Sequence, residues 1–167
     1  MRNDPSALAA VLRSAGPSDR ALATDPAFYE LLTGSYARLV GTPLAPERPD
    51  GPRWLYEDAS FCILAHNTDP DPRFVYANTT AQACFEYSWD ELTSLPSRLS
   101  AEAPNREERQ RLLDSVTRQG FASDYRGLRI AKSGRLFWIE DATVWQLLGP
   151  DGTLYGQGAV LRGWSDA

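Results

Sequence analysis

The sequence predicts an α+β domain, a five-stranded antiparallel sheet with short helices on one face and a helical extension at the N-terminus. Three observations carry this. Five short runs are rich in strand-forming residues, and the last three are separated by the turn sequences KSG (Lys132 to Gly134) and PDG (Pro150 to Gly152), so those three run antiparallel. Between the second and third runs, apolar residues recur at the three- and four-residue steps of helices. The long fourth run is apolar on successive positions, at Leu136, Phe137, Trp138 and Ile139 and again at Val144, Trp145, Leu147 and Leu148, which calls for cover on both faces.

The first forty residues read as helical. Asp4-Pro5 and Asp25-Pro26 each place a capping carboxylate before a proline suited to a first turn, and Gly16 and Gly41 follow as stops. Phe28, Leu31, Leu32, Leu39 and Val40, with Tyr36 beside them, form an apolar stripe on the second helix that needs a surface to cover. In GTPLAPERPDGP the prolines at 43, 46, 49 and 52 recur at the polyproline II repeat, which reads as a stiff connector or as a docking element for a proline-binding module. The expected organisation is a helical cap over 1–41, a connector over 42–53 and a mixed domain over 54–164.

Within that domain, Phe61–His66 and Phe74–Ala77 are predicted strands on either side of the loop DPDP. Asn78 stands where the second strand gives way to a helix carrying Ala81, Cys84 and Phe85, as a cap or as a ligand contact. Ser88 to Glu91 forms a capping box, and Asn105 to Glu108 heads a longer helix with Leu112, Leu113 and Val116, closed by Gly120. Strands follow over 123–130, 135–148 and 153–164. Trp138 and Trp145, seven apart on one strand, are expected on opposite faces. The central helices cover one side of this strand, and the stripe of the N-terminal helix or a second copy covers the other.

The chain has 167 residues, 17 Lys and Arg against 22 Asp and Glu, and no basic block, which argues against a sequence-independent grip on nucleic acid or on an anionic membrane. The opening MRNDPSALAAVLRSAG has charges and a proline where a secretory peptide carries its apolar run, so a cytoplasmic location is expected. Cys62 and Cys84 lie among apolar neighbours and read as reduced core thiols; a redox pair requires the two side chains to meet across the fold.

The segment FVYANTTAQACFEYSWDEL (Phe74 to Leu92) resembles the strand-Asn-helix signature of the PAS sensor fold. LPSRLSAE, NREERQRLL, GRLFWIEDATVW and DGTLYGQGAV, in that order, resemble the MEKHLA domain, a PAS-like module found alone in bacteria and at the end of some plant homeodomain transcription factors. The resemblance spans about Trp54 to Trp164. It implies a non-catalytic module that senses or binds, with an asparagine that mainly ties the strand-helix turn. No segment resembles a homeodomain, zipper, kinase or cyclase, so the output is expected to be an altered dimer or partner contact.

In light-sensing PAS domains a cysteine before the long helix forms a flavin adduct. The comparable segment here is LPSRLSAE, with Ser97 in the thiol's place followed by Arg98, and serine cannot supply thiolate chemistry. Gln157 lies where such domains keep a glutamine facing the ring, so flavin binding without the adduct stays open. His66, the single histidine, ends a strand rather than sitting in the helical segment of PAS haem ligands; it reads as structural or exposed, and haem is not expected. Neither zinc nor calcium is expected, since one histidine and two separated cysteines match no zinc spacing and Asp69 and Asp71 are explained by the turn their prolines enforce.

The ligand-binding candidates are Asn78, Arg98, Tyr125, Arg129, Trp138, Glu140 and Gln157. A mid-strand charge at Glu140 or Asp141 needs a partner, Arg126 or Arg129, either as a cross-strand ion pair or as a polar anchor in a pocket. Gly156 and Gly158 bare one side of the last strand, which admits a helix closely or leaves room for a planar ligand. The expected assembly is a homodimer through the sheet face and cap, responding to a small molecule or a protein partner. The alternatives are an NTF2-like enzyme using Glu140 or Asp141 with Tyr125 as acid and base, and a protein interaction adaptor docking through the proline-rich connector.

Overall fold

The computed structural model describes residues 5–12, 18–101 and 106–167. The expected cap at Asp4, the stop at Gly16 and the cap at Asn105 lie outside the described residues. Five strands, β1 (Cys62–His66), β2 (Phe74–Ala77), β3 (Phe121–Ile130), β4 (Leu136–Leu148) and β5 (Leu154–Asp166), form one sheet in the order β2-β1-β5-β4-β3, with every pairing antiparallel. Gly134 and Gly152, at φ 90° and 86°, take the left-handed conformation of the two predicted turns, which costs little without a Cβ.

The helices are α1 (Pro5–Leu12), α2 (Pro26–Val40), α3 (Gly51–Glu57), α4 (Thr79–Phe85), α5 (Trp89–Leu92) and α6 (Arg106–Gln119), with 3-10 turns at Arg20–Thr24 and Ser97–Ser100. α2 begins as the sequence predicts. Asp25 Oδ2 accepts from the Phe28 amide at 2.8 Å, Pro26 occupies the first turn, and Gly41 ends the helix at φ 89°. The reciprocal bonds of the capping box between Ser88 and Glu91 are both made at the head of α5.

α3 corrects the connector reading. Asp50-Gly51-Pro52 starts a helix, with proline in its first turn, rather than ending a polyproline segment. The segment before it lies against the domain, since Leu44 is buried and its carbonyl accepts from Arg162 at 3.1 Å.

Two cores sandwich the sheet. On the outer side, α2, α3 and the turn at Arg20–Thr24 pack with Ile63, Ala65, Trp145, Leu147 and Val160. Trp145 Nε1 donates to Ser35 Oγ at 3.0 Å, and its ring meets Tyr36 edge-on with centroids 5.0 Å apart. On the inner side, α4 and α5 cover Cys62, Leu64, Phe137, Ile139 and Leu161, while Leu113 and Val116 of α6 cover Val144. β4 is therefore shielded on both sides over its Val144–Leu147 half, by different elements. At its other end Trp138 and Glu140 are half-buried, and the Arg126 guanidinium lies 3.9 Å from the Trp138 ring centre.

The two tryptophans do not take opposite faces. Asp141 adopts φ 48° and the pairing with β3 slips beside it, so the facing alternation shifts by one residue. Phe137 and Ile139 share the inner core with Ala142 rather than with Asp141, which puts Trp138 on the side of Trp145. Gly158 has a similarly specific role: a Cβ there would come within 2.8 Å of the Trp145 indole, so the bared strip of β5 is filled by that ring beneath α2, not by a planar ligand.

Cys62 and Cys84 share one core as free thiols. Both are buried in the inner core, and the Cys62 thiol is pushed up by its neighbour Cys84 and by burial. No helix among the described residues is long and apolar enough to cross a membrane.

Candidate functional site

α6 turns the side chains of Arg109, Leu113 and Val116 toward the sheet, so an arginine stands on the same buried stripe as two aliphatic residues. Beneath this helix, the inner face of β1, β4 and β5 borders a cavity of about 60 Å³. Leu64, Phe74, Phe85, Leu112, Leu113, Ile139, Val144, Ala159 and Leu161 supply apolar walls; His66, Ser100, Arg109, Arg129 and Gln157 supply the polar lining. An arginine, a histidine and a glutamine are costly in such surroundings unless each finds a partner.

The partners are incomplete. Arg109, 7% exposed, donates to Ser97 Oγ at 2.7 Å and has four further N–H groups. Arg129, also 7% exposed, donates to the Leu128 carbonyl at 2.8 Å and to the Tyr125 hydroxyl at 3.4 Å. No ion pair among the described residues joins either guanidinium to a carboxylate. Burial, with the charge of Arg129 adding to it, lowers Arg109 to about 10, so the side chain stays cationic at neutral pH.

His66 Nδ1 bonds the Asn67 carbonyl at 3.0 Å, which leaves Nε2 as the lone-pair nitrogen, buried and without a hydrogen-bond partner. Burial pushes the imidazole down to about 4, and the Arg109 charge acts in the same direction. Opposite His66 in the β1–β5 ladder, Gln157 spends its amide N–H groups on the Leu113 carbonyl at 3.4 Å and Thr117 Oγ1 at 3.3 Å; its Oε1 is buried and unpartnered. Gly156 makes this arrangement possible, because a Cβ there would stand 1.9 Å from the His66 carbonyl oxygen.

Of the residues singled out from sequence, Arg129 and Gln157 line the cavity and Tyr125 stands behind Arg129, with the guanidinium 5.5 Å from its ring centre. The other four lie elsewhere. Asn78 is fully buried with its bonding capacity spent: Oδ1 accepts from the Ile63 and Ala81 amides, and Nδ2 donates to the Leu55 and Phe61 carbonyls. It is a cap and a three-way tie, with no atom left for a ligand. Arg98 points outward to Asp71 at 3.0 Å, because the tight turn at Ser97–Ser100 sends Ser97 inward and its neighbour out. Trp138 and Glu140 are on the outer side. Glu140 meets Arg126 at 3.8 Å and accepts from Ser165 at 2.8 Å, so the expected cross-strand ion pair forms as a surface contact. Asp141 is exposed, and among the described residues no carboxylate lines the cavity for the acid/base alternative to use.

Sequence reasoning missed Arg109, Ser100 and the inward placement of His66. Arg109 was readable, since it precedes Leu113 by four residues and Val116 by seven on one helical face. His66 was not, because a strand end is exposed or buried according to what packs over it.

A flavin does not fit this cavity in the conformation described. Pockets that hold ligands of that size run to about 300–1,000 Å³, five times this volume or more. Ser97 offers no thiol, and its hydroxyl is engaged by Arg109.

The family model of the MEKHLA domain matches residues 26–166, taking in α2 and the connector that the sequence-level resemblance left outside. A crystal structure of the PAS domain of a protein from Colwellia psychrerythraea aligns with a TM-score of 0.56 at 15% identity, covering 67% of this chain and 90% of that one. A light-oxygen-voltage domain, from a study of its mechanism with a flavin analogue, aligns at 0.53 and 16% identity over 64% of this chain and 77% of its own. A search of curated proteins by sequence gives no match. The fold is thus the PAS-like α+β arrangement expected from the sequence, five antiparallel strands with helices packed on the sheet.

Proposed function

The chain belongs to the MEKHLA domain family, and from that membership and the cavity beneath α6 we propose that it is a non-catalytic sensory module that binds a small molecule there and signals through dimer or partner contacts. The observation that carries this reading is a pair of buried guanidinia, Arg109 and Arg129, lining an apolar cavity without a carboxylate partner among the described residues, beside the unpartnered acceptors His66 Nε2 and Gln157 Oε1. Leaving buried polar atoms unpaired costs about 1–3 kcal/mol each, a cost that a ligand supplying the missing bonds removes.

The mechanism is a population shift. A ligand that completes these bonds favours α6 closed on the sheet. Val144 faces α6, and its neighbour Trp145 faces α2 on the other side, so a small displacement of β4 is felt in the contact that seats the N-terminal helix. Dimer or partner contacts at the half-covered Trp138 end of the same strand would read the change. The buried polar lining of the cavity, which an adaptor docking through its surface does not need, favours the sensor reading over the adaptor.

Thermal shift of the full chain across a broad metabolite panel, with mass spectrometry of whatever denaturation releases, tests the proposal. A retained molecule, or stabilisation by one chemical class, supports it. A protein that releases nothing and shifts with nothing overturns it.

A further inference from the structure

We infer that the ligand of this cavity is a small organic carboxylate, its anionic end held between Arg109 and Arg129 and its short apolar body set against Leu64, Phe85 and Leu161. This rests on the reading of the chain as a ligand-binding module and adds the chemical class of what it binds.

Charge is the first argument. Two guanidinia, each more than nine-tenths buried, line one cavity with no carboxylate paired to either among the described residues. The described carboxylate whose charge reaches Arg109 is Asp71, and it is committed to Arg98 at 3.0 Å. A buried cation without a counter-ion is strongly disfavoured, and two beside each other more so, unless an anion completes the site. Planar guanidinium forks match the two oxygens of a carboxylate.

Size and wall chemistry narrow the class. A cavity of about 60 Å³ suits a ligand of a few non-hydrogen atoms rather than a nucleotide or a sugar phosphate. Most of the wall is aliphatic or aromatic, which a fully hydrated inorganic oxyanion would leave unmatched but a methyl or ethyl group would cover. With His66 neutral, His66 Nε2 and Gln157 Oε1 are acceptors, so the anion is held by the two guanidinia and not by these atoms.

Calorimetry and thermal unfolding of the dialysed full chain, at constant ionic strength, would compare acetate, propionate and butyrate with propionamide, propan-1-ol and inorganic phosphate. The expected result is stabilisation by the carboxylates and none by the amide or alcohol. Arg109→Met and Arg129→Met are each expected to weaken carboxylate binding by about ten-fold or more, while the ligand-free Arg109→Met protein melts higher than wild type because a buried unpaired charge is gone. Glu102 lies outside the described residues, so Glu102→Gln is the control: unchanged binding supports an external anion, and tighter binding would show that the chain supplies its own counter-ion and overturn the inference. Equal binding of propionamide overturns the carboxylate class while leaving the ligand-binding module standing. Phosphate stabilising as well as propionate overturns the apolar body. Absence of any binding by these probes overturns the carboxylate inference and leaves the module reading to the metabolite panel. Should Arg109→Met fail to fold, the wild-type comparison of propionate with propionamide decides alone.

Discussion

His66 is neutral at pH 7 because burial, reinforced by the charge of Arg109, holds its pKa near 4. An unfolded histidine titrates near 6.5, so between pH 6.5 and 4 the unfolded chain binds a proton that the folded one refuses. The stability tied to this group is complete above pH 6.5 and is lost as the pH falls through 4, in total about 3 kcal/mol. Urea unfolding from pH 7.5 to 4 should show that decline in wild type and its removal in His66→Gln, with the difference between the two curves isolating this residue from the surface carboxylates. Parallel curves would mean that the imidazole is not buried as described. Residue chemistry alone did not reveal this, since one histidine at the end of an apolar strand reads the same whether a helix or water lies over it. Arg129 and Gln157 were candidates because polar residues on otherwise apolar strands are conspicuous, but their convergence depends on α6.

The elements were more legible, because their ends are set by local chemistry. Asp25, Ser88, Gly41 and the glycines of the KSG and PDG turns act within four residues of themselves, and each does in the fold what its neighbours in the chain suggest. α3 escaped because Asp-Gly-Pro is both a turn sequence and a helix start, and what decides between them is the burial of Leu55 and Tyr56 against the outer core. Asn78 binds elements together beyond its role as a cap: it bonds β1, α4, the end of α3 and the residue before β1 through four contacts. Asn78→Ala would strand these buried groups at once and should cost about 3 kcal/mol or more in urea unfolding. A loss under about 1 kcal/mol would show that water replaces the side chain and that the join is wetter than described.

At the scale of the molecule, cover over the sheet is uneven. α2 seals the Trp145 end of β4, while Trp138 at the other end is half-buried, with the Arg126 guanidinium over its ring. If this is where two copies join, sedimentation equilibrium should show a dimer whose dissociation constant rises about ten-fold or more in Trp138→Ala, since interface aromatics carry much of the binding energy. A monomer at high concentration, or a dimer indifferent to that change, would remove this contact from the signalling scheme. The sequence by itself determined the strand count, the antiparallel run of the last three strands, most helix ends and the need to cover β4 twice, because periodicity, caps and turns act over a few residues. Tertiary structure alone decided which side each tryptophan faces, that Asn78 has nothing left for a ligand, and that Arg109, Arg129, His66 and Gln157 share one cavity. Those outcomes depend on the slip at Asp141 and on the seating of α6, and both are fixed by packing between segments far apart in the chain.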